Sequence, residues 1–223
     1  MISSVACHTD KDPGIIVQPP FNTGTDKKYL ALGDSYTIGQ GVAASESFPL
    51  QLQSWLSVNG VFLSATDIIA TTGWTTYDLM NGILAKNPPA IYSAVSLLIG
   101  VNDQYQHRDT TGYRNNFYNL LYKAIQLAGN RRERVFVLSV PDYSVTPFAA
   151  YSDTAAIRKQ IDQFNMINKE VTLQNYCKYI DITSLSREAK NDPSLLAPDG
   201  LHPSAKGYLK WVEQLGPVMK TVL

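Results

Sequence analysis

The sequence predicts an α/β protein, a three-layer α/β/α sandwich around a flavodoxin-like, five-stranded parallel sheet. Two observations lead there. From Lys28 onward, short apolar runs that end at glycines or turns alternate with longer segments whose apolar residues recur at helical spacing. Those longer segments suffice for right-handed crossovers, which make neighbouring strands parallel and cover both faces of the sheet.

The elements follow in order. Residues 29–32 form an apolar run closing on Gly33, as a buried parallel strand should. Phe48, Leu52, Trp55 and Leu56 define a helix over 48–58, with Pro49 early and Gly60 just after. A second strand covers 67–71, before Gly73. Thr75 and Asp78 make a capping box for a helix that Asn87, Pro88 and Pro89 stop. The third strand, 94–99, closes on Gly100, and a helix over 113–127 ends at Gly129. The fourth strand is 135–140. A long amphipathic helix over 154–174 is built on Ile157, Ile161, Phe164, Ile167 and Val171. A fifth strand over 179–182 and a helix from about Ser204 complete the chain. Residues 8–27 are polar, proline-bearing and aperiodic, so 1–27 reads as a tail or wrapping arm and 28–223 as one domain.

Composition narrows the function. Lysine plus arginine equal aspartate plus glutamate at 19 each, so no net field recommends nucleic acid or an anionic membrane as partner. Arg131, Arg132 and Arg134 cluster before the fourth strand with Glu133 among them, and read as a solvated loop. The 2 cysteines, Cys7 and Cys177, make no disulfide framework, and Cys177 reads as a small buried hydrophobe. Only His8, His107 and His202 are present and no metal-site spacing appears, so neither metal nor cofactor is expected. No apolar run is long enough for a transmembrane helix. Small residues before Cys7 look like the end of a lipoprotein signal, although the apolar stretch of such a signal is missing. Two readings stay open: a lipid anchor at Cys7 on a periplasmic or membrane-attached protein, or a cytoplasmic protein.

The chemistry gathers at strand ends, where doubly wound sheets carry their sites. The first strand leads into Gly33, Asp34 and Ser35, the second towards Gly73, and the third into Gly100, Val101, Asn102 and Asp103. Asp199, Gly200, Leu201 and His202 follow near the carboxyl terminus. A serine hydroxyl needs an adjacent base, histidine serves near neutral pH, and a carboxylate fixes the histidine's tautomer. Asp199 and His202 lie close across a glycine, so a tight turn can fold the carboxylate onto the imidazole, with Pro203 suited to the first position of the closing helix. The reading is therefore Ser35 as nucleophile, His202 as base and Asp199 as orienting acid. The Ser35 and Gly73 amides and the Asn102 side chain would be the oxyanion donors.

These motifs, in this chain order, resemble the SGNH (GDSL-type) hydrolase family, over nearly everything after Lys28. The resemblance implies hydrolysis of carboxylic esters or thioesters. Tyr36 departs from it, since the family's first motif has leucine there, and this bears on substrate contact. Asp34 reads as structural, Asp103 as a helix cap, His107 as a surface residue and His8 as part of the tail. Gly39, Gly41 and Ala44 mimic a dinucleotide fingerprint, but the first glycine lies too far from the strand and no acidic residue ends the second strand. They read instead as bends in a loop beside the site.

The leading hypothesis is a metal-independent esterase acting on a small-molecule ester through an acyl-enzyme. A lysophospholipase or thioesterase, an acyltransferase and a non-catalytic binding module are the alternatives. Short acyl groups, acetyl above all, are expected, because residues 33–48 and Asp103, Gln104, Tyr105 and Gln106 suit a polar alcohol such as a carbohydrate. The loop 141–152, with Tyr143, Val145, Pro147, Phe148 and Tyr151, could instead build an apolar wall, and its aromatics could equally stack on a sugar or pack on the core.

Overall fold

The computed structural model describes residues 26–89 and 91–223. Its sheet holds β1 (Lys28–Gly33), β2 (Ala65–Ala70), β3 (Ala94–Leu98), β4 (Val135–Leu138) and β5 (Lys178–Ile180). All neighbours are parallel, in the order β2-β1-β3-β4-β5. This is the flavodoxin-like order, whose reversal point lies between β1 and β3. The helices are α1 (Ser35–Ile38), α2 (Phe48–Val58), α3 (Thr76–Lys86), α4 (Val101–Tyr105), α5 (Thr110–Leu127), α6 (Thr154–Gln174), α7 (Thr183–Arg187) and α8 (Ala205–Lys220).

Strand alternation builds the layers. Tyr29 and Ala31 of β1 face a core with Phe48, Leu52, Tyr208 and Trp211, from α2 and α8. Leu30 and Leu32 face the opposite core, with Leu79 of α3, Phe117 and Leu121 of α5 and Phe164 of α6. Both faces are covered, so the middle strands are largely apolar, and the one buried polar side chain of β3, Ser96, is bonded to the Tyr29 hydroxyl at 2.6 Å.

The strand bounds differ where side chains compete with the ladder. β2 spans Ala65–Ala70 and not 67–71, because Ala65 and Thr66 extend the ladder opposite Lys28 and Tyr29; Asp67 accepts the Tyr92 hydroxyl at 2.8 Å. β4 stops at Leu138 and not Val140, since both main-chain groups of Val140 bond the Asn165 side chain, at 2.7 and 2.9 Å. β5 spans Lys178–Ile180 and not 179–182, because the Asp181 carboxylate takes the Thr183 amide at 3.0 Å and opens α7. α5 begins at Thr110, ahead of its apolar stripe, where the Asp109 carboxylate accepts from the Thr111 and Gly112 amides.

The arginine cluster is less free than its sequence suggests. Arg132 bonds the Asn175 carbonyl at 3.1 Å and Arg134 the Ser93 carbonyl at 3.2 Å, tying segments at the amino ends of the strands, far from the site. Cys177 is buried and unpaired, and burial pushes its thiol up to about 12. His107 is exposed. No helix among the described residues is long and apolar enough to cross a membrane. Cys7, His8 and all but the last two residues of the arm expected over 1–27 lie outside the described residues.

Candidate active site

Ser35 is the first residue of α1, immediately beyond β1. A Cβ on Gly33 would come within 2.5 Å of the Leu98 carbonyl, so glycine lets this turn press against β3. The Asp34 carboxylate caps α1 through the Tyr36 amide at 3.0 Å, the structural part expected of it.

His202 comes from the other end of the chain. Its ring nitrogen Nε2 lies 2.9 Å from Ser35 Oγ, and Nδ1 lies 2.7 Å from Asp199 Oδ2. The second carboxylate oxygen of Asp199 accepts the Leu201 and His202 amides, at 2.9 and 3.0 Å, and Gly200 supplies the left-handed turn at φ 67°. Partial burial works to raise the Asp199 carboxyl. The His202 ring and the two amides outweigh it and hold the group below the usual carboxylate range. Ser35 and His202 are almost wholly buried, 5% and 3% exposed.

Pro203 does not open the closing helix. Ser204 is the cap of α8, its hydroxyl accepting the Gly207 amide at 3.2 Å. What anchors His202 is a short antiparallel ribbon: the Ala197 amide donates to the His202 carbonyl and the Ser204 amide to the Leu195 carbonyl, both at 2.8 Å. The fingerprint-like glycines also find their use here. A Cβ on Gly41 would meet Asp199 Oδ2 at 3.0 Å, so this loop backs the carboxylate from behind.

Asn102 follows β3 on α4, and Gly73 follows β2. Both line a cavity of about 190 Å³ together with Ser35 and His202. The Asn102 amide donates to the Trp74 carbonyl at 3.0 Å, and its 3.4 Å approach to Asp34 is too long to be strong. One N–H is thus engaged by the protein, and the other has only a weak competitor. The helix that Asp103 caps is α3: its carboxylate accepts the Thr76 amide at 2.8 Å and the Thr76 hydroxyl at 2.6 Å.

Further residues complete the cavity, among them Tyr36 and two aromatics of the 141–152 loop. Tyr36 packs its ring 4.8 Å from the His202 ring, so the departure from leucine touches the base as well as the cavity. Tyr105, Tyr143 and Phe148 form a triangle of rings with centroids 6.2 to 6.3 Å apart on one wall. Gln40 and Thr72 line another part, bonded to each other at 2.6 Å. The polar run after Asn102 does not face the cavity as expected. Asp103 and Gln104 are buried, Gln104 bonding Gln160 at 2.7 Å, because α4 turns those positions inward and Tyr105 outward.

A serine, a histidine and an aspartate lie in one hydrogen-bonded line at the carboxyl edge of a doubly wound sheet, an arrangement suited to acyl transfer. The family model for the GDSL-like lipase/acylhydrolase family matches residues 31–210, and the chain belongs to that family. No curated protein sequence matches the chain. Among solved structures, TesA superposes with a TM-score of 0.66 at 19% identity, over 88% of this chain and 100% of its own. A lipase/acylhydrolase from Enterococcus faecalis gives 0.64 at 22% identity, over 87% and 96%. The acetyl xylan esterase AlAXEase gives 0.64 at 20%, over 84% and 97%. At such identities the likeness is one of fold.

Asp34 carries a measurable consequence. Complete burial pushes its carboxyl up to about 7, against the pull of the Tyr36 amide and with help from the Asp103 charge. Between the unfolded value and about 7 the native state therefore holds a proton that the unfolded chain has released. This group's contribution to stability falls as pH rises through that window and is flat above it. Asp34→Asn, which keeps the oxygen that caps α1, is expected to gain thermal stability relative to wild type on going from pH 5 to pH 8. Parallel thermal melts check this, and a difference independent of pH would contradict it.

Proposed function

We propose that the protein is a serine esterase that cleaves short-chain carboxylic esters through an acyl-enzyme. Ser35 is the nucleophile, His202 the general base and acid, and Asp199 the acid that orients it. The observation that carries this reading is the unbroken line from Ser35 Oγ through the imidazole to the Asp199 carboxylate, at 2.9 and 2.7 Å.

Ser35 Oγ attacks the ester carbonyl as its proton passes to His202 Nε2. The new oxyanion lies among the Ser35 and Gly73 amides and the Asn102 N–H that only the long contact to Asp34 engages, each donor typically worth about a hundred- to a thousandfold in rate. The carbonyl–alkoxy bond then breaks, and His202 returns the proton to the departing alcohol. Water, deprotonated by the same imidazole, releases the acid and restores Ser35. With Nδ1 bonded to Asp199, the neutral ring presents its lone pair at Nε2, as the first step requires.

The substrate is a small ester with a short acyl chain, a size that suits a cavity of about 190 Å³. Gln40 and Thr72 offer polar contacts to the alcohol. The fold-level likeness to an acetyl xylan esterase agrees with an acetylated carbohydrate among the substrates. The ring triangle favours a second reading, a thioesterase or lysophospholipase with a longer acyl group. A fluorophosphonate probe is expected to label Ser35. Specificity constants over nitrophenyl acetate, butanoate, hexanoate and octanoate should peak at the short end. A preference for octanoate would overturn the short-chain assignment in favour of the second reading, and absence of labelling at Ser35 would overturn the esterase itself.

A further inference from the structure

We propose that Asp103 is a positioning residue for ester hydrolysis, its carboxylate fastening the loop that bears Asn102 to the loop that bears Gly73. This rests on the reading of Asn102 and Gly73 as oxyanion donors.

The need for such a fastening follows from the strand order. β2 and β3 lie on opposite sides of β1, so no ladder hydrogen bond joins them. Gly73 follows one and Asn102 the other, with Ser35 between at the end of β1. The backbone alone therefore leaves the spacing of the two donors to a pair of separate loops. Asp103 spans them. Its two carboxylate oxygens take the Thr76 amide and the Thr76 hydroxyl, at 2.8 and 2.6 Å, just past Gly73 in the chain. The preceding residue adds a third link, from the Asn102 amide to the Trp74 carbonyl at 3.0 Å. Asp103 and Thr76 are buried, 2% and 0% exposed, so water neither competes for these bonds nor replaces them easily.

The local chemistry suits a carboxylate. The Thr76 amide is the first of α3 and has no carbonyl partner inside that helix. The Thr75 hydroxyl donates to the Asp78 carboxylate at 2.7 Å and faces the Asp78 amide at 3.4 Å, so the helix's own cap does not reach it. The Trp74 side chain holds the same loop from the other side, its ring filling the space a Cβ on Gly82 would need. Losing the Asp103 carboxylate would leave an orphaned amide and hydroxyl at one end and free Asn102 to shift at the other. Donors displaced by a fraction of an ångström stabilise an oxyanion poorly while still admitting substrate.

The test separates positioning from mere support of α3. Asp103→Ala is expected to lower kcat about ten- to a hundredfold, less than deleting a donor outright, with KM changed by less than about threefold. Asp103→Asn, which keeps an acceptor for the Thr76 amide, should recover most of that turnover. In an Asn102→Ala background, Asp103→Ala should cost only a few-fold, because the donor through which it acts is gone. Full multiplication of the two losses, or wild-type turnover in Asp103→Ala, would overturn the proposal. Should Asp103→Ala not fold, Thr76→Val removes one of the two bonds at constant shape. Its kcat should fall several-fold at unchanged KM, and wild-type kcat would equally overturn the proposal. Wild-type turnover in Asn102→Ala itself would instead strike at the donor assignment on which the proposal rests.

Discussion

Replacing Ser35 or His202 by alanine is expected to abolish ester hydrolysis, with kcat falling by about five orders of magnitude. The two act as one unit, since the hydroxyl attacks only as the imidazole 2.9 Å away takes its proton. The double variant should therefore be scarcely worse than either single one. Ser35→Ala removes one small atom from the end of the core and should leave the melting temperature nearly unchanged. His202→Ala also removes a ring packed against Tyr36 and should cost stability as well as rate. Initial rates on a nitrophenyl ester, corrected for contaminating esterase, decide the point. Retention of even a tenth of wild-type activity in either variant would sink the assignment.

Asp199→Asn is the second large effect expected. The asparagine oxygen can still accept the Leu201 and His202 amides, so the turn should survive. Its amide, however, would face Nδ1 as a donor and drive the ring proton onto Nε2, opposite Ser35. In a serine protease triad the same exchange costs about 10⁴-fold in kcat through that tautomer reversal. The Asp199 side chain is 33% exposed, so water can partly reorient the ring and the expected loss here is about 10³- to 10⁴-fold. KM should change little. A loss below about tenfold would reduce Asp199 to a residue that merely folds the turn.

Much of the architecture was legible before any coordinates. Apolar periodicity separates strand from helix because burial on two faces and burial on one stripe demand different spacings. It located every strand and the five long helices, and it missed α1, α4 and α7, which are too short to show a period. These short helices begin at or just beyond strand ends, where capping side chains such as those of Asp34 and Asp181 compete with the ladder. The strand bounds moved for the same reason. Asn165 reaches β4 from a helix, and no local pattern announces so distant a partner.

The candidate site divides along the same line. The sequence by itself indicated which residues could meet: Ser35, Gly73 and Asn102 follow strands that a doubly wound sheet brings to one edge, and the Asp199–His202 turn, just before the closing helix, can reach it. The turn closes through local bonds over a few residues, so it too was readable. Only the tertiary structure decided what surrounds them. Tyr36 against the imidazole, Gly41 behind Asp199 and the ring triangle of Tyr105, Tyr143 and Phe148 all depend on how loops from different strands pack. The inward turn of Asp103 and Gln104 likewise follows from the pitch of α4, which sends neighbouring residues in different directions. Identity along the chain set the chemistry. Strand order, which places β2 and β3 on either side of β1, set the spacing that the chemistry needs.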